Sequence, residues 1–169
     1  MKFTALRLAV VAGLMVAGVA HAQEAAVTAS APALPPIKTK SGVLDEPEAG
    51  KGQVVFFRPG SIMGIALGCT VREMEGAVVN EVARLGSGKY YVVQVEPGRH
   101  EYFTTGERTD TLALEIEPDE TYFVKCNIGM GLVAGGANLS PSDREAFAKK
   151  AKGLKMWAGH DEDKKKPKG

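Results

Sequence analysis

The chain has 169 residues, 21 of them basic and 20 acidic, with three histidines and two cysteines. Near-zero net charge excludes a general electrostatic attraction for nucleic acid or anionic lipid. So few histidines and cysteines argue against a metal centre, and the length suits one domain with a core of its own.

The first 22 residues have the three parts of an export signal. Lys2 and Arg7 supply the positive end, and Leu8 to Ala20 is apolar. That stretch is short and Gly/Ala-rich for a membrane span, which needs about 20 apolar residues. Ala20-His21-Ala22 is a small-x-small cleavage site before Gln23. The rival reading is an uncleaved anchor helix. No cysteine follows the site to receive a lipid. Cleavage leaves 147 residues, with 19 basic and 20 acidic side chains. The expected location is the periplasm or the exterior.

Residues 23–50 are rich in Ala and Pro, including Ala-Pro-Ala-Leu-Pro-Pro at 31–36, and lack periodicity. They read as a largely disordered tether. A folded domain is expected over 51–155. Residues 156–169, ending Lys-Lys-Lys-Pro-Lys-Gly, read as a mobile basic tail.

The domain itself reads as strands. Gln53–Arg58 is an apolar run stopped by Pro59-Gly60. Cys69–Met74 and Ala77–Leu85 flank a turn at Glu75-Gly76. Tyr90–Val95 and His100–Thr105 flank Pro97-Gly98, whose backbone preferences suit a type II turn. Thr111–Glu117 alternates cleanly, with Leu112, Leu114 and Ile116 on one face. Pro118-Asp119 leads into Thr121–Asn127. About seven short strands at roughly ten-residue spacing predict a mainly β fold, a small antiparallel β-sandwich. A single C-terminal helix follows. Ser140-Pro141-Ser142-Asp143 predicts its start, with Ser140 at the N-cap, and Phe147 and Leu154 are its expected anchors on the sheet.

These segments also carry a resemblance. Gly52-Gln-Val-Val-Phe-Phe-Arg-Pro-Gly60, Leu85-x-x-Gly-Lys-Tyr90, Val95-x-Pro-Gly-Arg-His100 and Thr121-Tyr-Phe-Val-Lys125 resemble the bacterial domain of unknown function 2846. More loosely, they are similar to PEGA-type envelope modules. The likeness covers about 51–155 and consists of turn and strand residues. It implies a compact exported β-sandwich of the cell envelope and supplies no catalytic residues. Many relatives look like lipoproteins, whereas this chain lacks the lipid-receiving cysteine.

Candidate sites are few. Cys69 and Cys126 fall in predicted strands with Val71 and Val124, so both are expected to face one core. In an exported chain they predict a disulfide, with no Cys-x-x-Cys to make it a redox centre. After cleavage only His100 and His160 remain, and no set of three or four zinc ligands is visible. No Gly-x-Ser-x-Gly elbow supports a catalytic triad. Gly86-Ser-Gly-Lys89 lacks the first glycine and the Ser/Thr of a phosphate loop. Neither catalytic residue, metal nor cofactor is therefore expected.

Two glycine-spaced apolar stretches stand out, 60–68 and 128–136. Each is half a membrane span, and tight connections packed against the sandwich are the favoured reading. If exposed, their apolar side chains, Met130 and Leu132 included, form a docking patch. Arg58, Tyr90, Tyr91, Arg99, His100 and Tyr102 lie near strand ends and form a candidate binding set. The expected function is a non-enzymatic envelope module. It would hold a protein or cell-wall partner through a sheet edge or these loops. The alternative is a membrane-associating protein using the 60–68 and 129–136 stretches. A hydrolase or inhibitor ranks last.

Overall fold

The computed structural model describes residues 34–62, 65–105, 110–129 and 136–159. The fold is mainly β, as the alternation predicted. Eleven strands and one helix follow in chain order among these residues. They are β1 (Lys38–Thr39), β2 (Gly42–Val43), β3 (Gly52–Arg58), β4 (Cys69–Glu75), β5 (Val78–Leu85) and β6 (Lys89–Val95). β7 (Gly98–Thr104), β8 (Asp110–Ile116), β9 (Thr121–Gly129) and β10 (Gly136–Ser142) come next. Helix α1 (Arg144–Ala151) and β11 (Lys155–Met156) close the order.

Two sheets form the sandwich. One has the order β10-β9-β3-β6-β11, the other β5-β4-β7-β8. Antiparallel pairing dominates, but β3 pairs parallel with β9 and β11 parallel with β6. The core between the sheets contains Val54, Phe56, Val71, Leu85, Tyr102, Ile116 and Val124. A second apolar layer lies on the far side of the five-stranded sheet. There Val55, Phe57, Tyr90 and Phe123 meet Phe147, Ala151 and Leu154 from the helical segment. Phe147 stands edge-on to Phe57 at 5.2 Å and to Tyr90 at 5.7 Å. β3 is thus covered on both faces, which is why its sequence is an apolar run and not an alternation.

Gly52 shows how close the layers come. A Cβ there would sit 2.1 Å from Ile116 Cγ2, so a side chain at this position displaces a buried one. At the turn into β9, Asp119 adopts a left-handed φ of 62°. Its Oδ1 accepts from Gly50 N at 2.8 Å, tying the turn to the chain entering β3.

Four details differ from the sequence reading. Residues 35–50 are not simply tether: β1 and β2 make a hairpin, and Ile37 and Leu44 are buried in the second layer. Ser140-Pro141-Ser142 ends strand β10 and does not start the helix; these residues pair with Lys125, Val124 and Phe123. β10 is an edge strand, so Pro141 needs no partner for a missing N–H. The N-cap is Asp143, whose Oδ1 accepts from Ala146 N at 2.7 Å. Beyond residue 155 the chain is still packed: Trp157 is buried edge-on against Tyr91, and its backbone N–H donates to the Tyr90 carbonyl.

Candidate docking site at the disulfide pole

The strand register gathers several connections at one pole of the sandwich. Phe57 lies opposite Lys125 in the parallel pair, and Arg58 lies opposite Lys89. The end of β3, the start of β4, the β5–β6 turn and the end of β9 therefore meet. Cys69 and Cys126 are buried here and form a disulfide across the two sheets, with Cα atoms 6.5 Å apart. Closing 57 residues of chain separation gives about 4 kcal/mol in the chain-entropy account.

The connection from β3 to β4 is held at both ends. Ser61 N donates to Ser87 Oγ at 2.9 Å, and Ser87 Oγ donates back to the Ser61 carbonyl at 3.1 Å. At the other end the buried Arg58 guanidinium donates to the Leu67 carbonyl. The same nitrogen reaches the Leu85 carbonyl at 3.3 Å. Burial lowers the Arg58 pKa from its ordinary value, without removing its charge at neutral pH.

Between these pins three apolar side chains of the described residues face water. Ile62 is 93% exposed, Ile65 66% and Leu67 40%. The packed-connection reading fails for these residues. Gly60 and Gly68 have nothing within 4 Å of a Cβ, so close backbone approach does not explain them. Met130 and Leu132, named with this patch, lie outside the described residues.

Beside the loop lies a pocket of about 390 Å³. Arg58, Pro59, Ser61, Lys125, Cys126, Asn127, Ile128 and Lys150 line it. Its ionisable lining is entirely basic. A neighbouring pocket shares Pro59, Lys125 and Lys150 and adds Asp143 and Glu145. Both acids are already engaged: Asp143 caps the helix, and Glu145 pairs with Lys149 at 2.7 Å. Lys125 and Lys150 have no carboxylate partner among the described residues.

The candidate binding set does not converge. Tyr90 is in the second layer, where its hydroxyl lies 3.0 Å from Thr39 Oγ1. Tyr91 packs on Trp157. Arg99 is on the exposed face of the four-stranded sheet and pairs with Glu101 at 2.8 Å. Salt bridging there holds the Arg99 pKa above its ordinary value. His100 and Tyr102 stack with ring centroids 6.1 Å apart, near the opposite pole. His100 Nδ1 lies 2.6 Å from Glu73 Oε1, and Nε2 lies 2.8 Å from the Glu96 carbonyl. A carbonyl only accepts, so Nε2 carries a proton. Both ring nitrogens are engaged within the fold. The buried Tyr102 hydroxyl faces Glu73 across the strand pair without a hydrogen bond of ordinary geometry. Burial first, and then the Glu73 charge, push its pKa far above the usual phenol value.

Among the described residues no group of three or more His, Cys, Asp and Glu side chains could hold a metal ion. None of their helices is long and apolar enough to cross a membrane. The chain matches no protein-family model, no curated protein and no solved structure.

The sequence reading missed Lys125 and Lys150 as a pair. Lys125 left a trace, a lone cation inside the apolar strand Tyr-Phe-Val-Lys-Cys. Lys150 looked like one more helix-terminal lysine. Only the pairing of β9 beside the helix brings them together.

Proposed function

We propose that the chain is an exported, non-enzymatic envelope module that docks through the described residues of the 59–68 connection. One observation carries this reading: Ile62, Ile65 and Leu67 are exposed on a loop whose two ends are pinned. Large side chains that could fold inward for about 1.5–3 kcal/mol each are held in water. Such a patch marks a contact surface. The export signal at 1–22 and the disulfide both fit an oxidising compartment. The likeness to envelope modules is carried by the strand and turn motifs at 52–60, 85–90, 95–100 and 121–125.

Sheet-edge binding is the weaker form of this reading at three of the sandwich's four sheet edges, β8 being the exception. β5 carries a bulge opposite Val71/Arg72 and the pair Arg84–Glu81, both of which blunt an edge. β10 contains Pro141, and β11 is two residues long.

The test is fractionation of producing cells. The wild-type chain is expected to sediment in part with envelope fragments. Ile62→Ser/Ile65→Ser should move to the soluble fraction with an unchanged melting temperature. Identical partitioning of the two chains overturns the reading. An intact mass that begins before Gln23 removes the cleaved-signal component.

A further inference from the structure

Resting on that docking reading, the chemistry of the pole also identifies its partner. We propose that the pole docks on an anionic phospholipid surface. Ile62 and Ile65 enter the interfacial region, while Lys125 and Lys150 hold a headgroup phosphate in the pocket they share.

Three observations converge. The most exposed apolar side chain, Ile62, follows Ser61, which itself lines the basic pocket. The insertion and charge elements are therefore adjacent. The pocket wall contains Arg58, Lys125 and Lys150 and no carboxylate. Of these, the two lysines have no ion-pair partner among the described residues. Its volume falls in the range of small-ligand pockets, about 300–1,000 Å³. The remaining lining is mixed, with Pro59 and Ile128 apolar and Ser61 and Asn127 polar. An apolar tip beside an anion pocket matches a bilayer surface, where acyl chains lie beneath a layer of phosphates. A protein surface would need its own matching acid and apolar patch at this spacing. The balanced net charge of the chain does not oppose this, because a surface within a Debye length senses local charge.

The experiment is vesicle flotation with the mature, disulfide-bonded chain at neutral pH. Vesicles of phosphatidylcholine are compared with vesicles of phosphatidylcholine and phosphatidylglycerol. Wild-type protein is expected to float with the second and not the first. Lys125→Gln/Lys150→Gln should bind about thirtyfold more weakly, at roughly fivefold per basic residue near an anionic surface. Ile62→Ser/Ile65→Ser should lose about tenfold or more through reduced apolar burial. Deleting 160–169, with its four lysines, should preserve the dependence on Lys125 and Lys150. If that deletion abolishes flotation while the double lysine variant still floats, the tail is the anchor and the proposal is overturned. If inorganic phosphate raises the melting temperature but no vesicle is bound, the pocket takes small anions and the lipid surface is wrong. Absence of flotation, with the isoleucine variant still released from envelope fragments in cells, overturns the lipid partner and leaves the docking reading standing. An isoleucine variant that behaves as wild type in both assays removes the docking reading itself.

Discussion

The two poles of this sandwich solve the same problem in different ways. At the pole of the β6–β7 turn, the polar groups are mostly paired within the fold. His100 bridges Glu73 and the Glu96 carbonyl, and Asp119 receives Gly50 N. Gln94 Nε2 donates to Gln53 Oε1 at 2.7 Å. Apolar side chains face water at both poles, Met74, Val78 and Val79 on the β4–β5 hairpin and Ile62, Ile65 and Leu67 at the disulfide pole. At the disulfide pole, however, the frame is covalent and pinned. The exposed residues there lie beside a pocket whose lysines have no carboxylate partner among the described residues. The residues with the more familiar chemistry, a histidine beside a carboxylate, are thus consumed by structure. The residues left over are the better candidates for function.

The largest expected effect tests whether the disulfide is the frame of its pole. Cys69→Ala/Cys126→Ala should lose about 4 kcal/mol. The melting temperature should fall by on the order of 10–20 °C. Thiol titration of the native chain should find no free group; two free thiols break the comparison at its root. The second test addresses the other side of the five-stranded sheet. Starting the chain at residue 45 removes Ile37 and Leu44 from the second layer. At roughly 1.5–3 kcal/mol per buried side chain, it should cost about 3 kcal/mol or more. Starting at residue 34 leaves that layer complete and should cost far less. Denaturant midpoints compare the two.

The main strands were legible because two signals agreed: alternation or apolar runs, and Pro/Gly turns between them. Thr111–Glu117 was read almost to the residue because its pattern is local. β10 was missed for the opposite reason. Its sequence, Gly-Ala-Asn-Leu-Ser-Pro-Ser, has weak strand propensity and takes its conformation from pairing with β9. The two-residue strands β1 and β2 leave no periodicity, so Ile37 and Leu44 looked like tether. At the site, sequence named Arg58 and the 60–68 loop, while burial decided their roles. Arg58 became the pin, Tyr90 and Tyr102 became core, and the loop became the exposed element. None of that is carried by residue type alone. It depends on which sheet covers which face.

A middle-sized effect probes the crowded junction of the two sheets. Gly52→Ala forces a methyl group against the buried Ile116 side chain. It should destabilise by about 1–3 kcal/mol, read by chemical denaturation. Tyr102→Phe should change little at neutral pH, or stabilise slightly, because it removes a buried hydroxyl without a partner. Its signature is at high pH. In the unfolded chain Tyr102 ionises near pH 10, whereas burial and Glu73 keep it neutral in the fold. The folded state then holds a proton that the unfolded state has released. Stability should therefore fall as pH rises above about 10, by up to roughly 1.4 kcal/mol per pH unit for this group. Tyr102→Phe should flatten that fall relative to wild type. An equally steep alkaline limb in both proteins means Tyr102 is not held neutral.

The smallest expected effect on stability separates the poles most sharply. Ile62→Ser/Ile65→Ser replaces two side chains that already face water in the fold, so the denaturation midpoint should move by less than about 0.5 kcal/mol. The same change to the buried Ile37 and Leu44 should cost several kcal/mol. If the loop variant is destabilised as much as a core variant, Ile62 and Ile65 pack against something in solution and the loop is not a free surface. If its stability is unchanged, the fold gains nothing from them, and a loop held by Ser87 and Arg58 displays two isoleucines for a purpose outside the fold. Stability and binding then come apart at this pole, while at the His100 pole, where hydrogen bonds spend the side chains on the fold itself, they stay together.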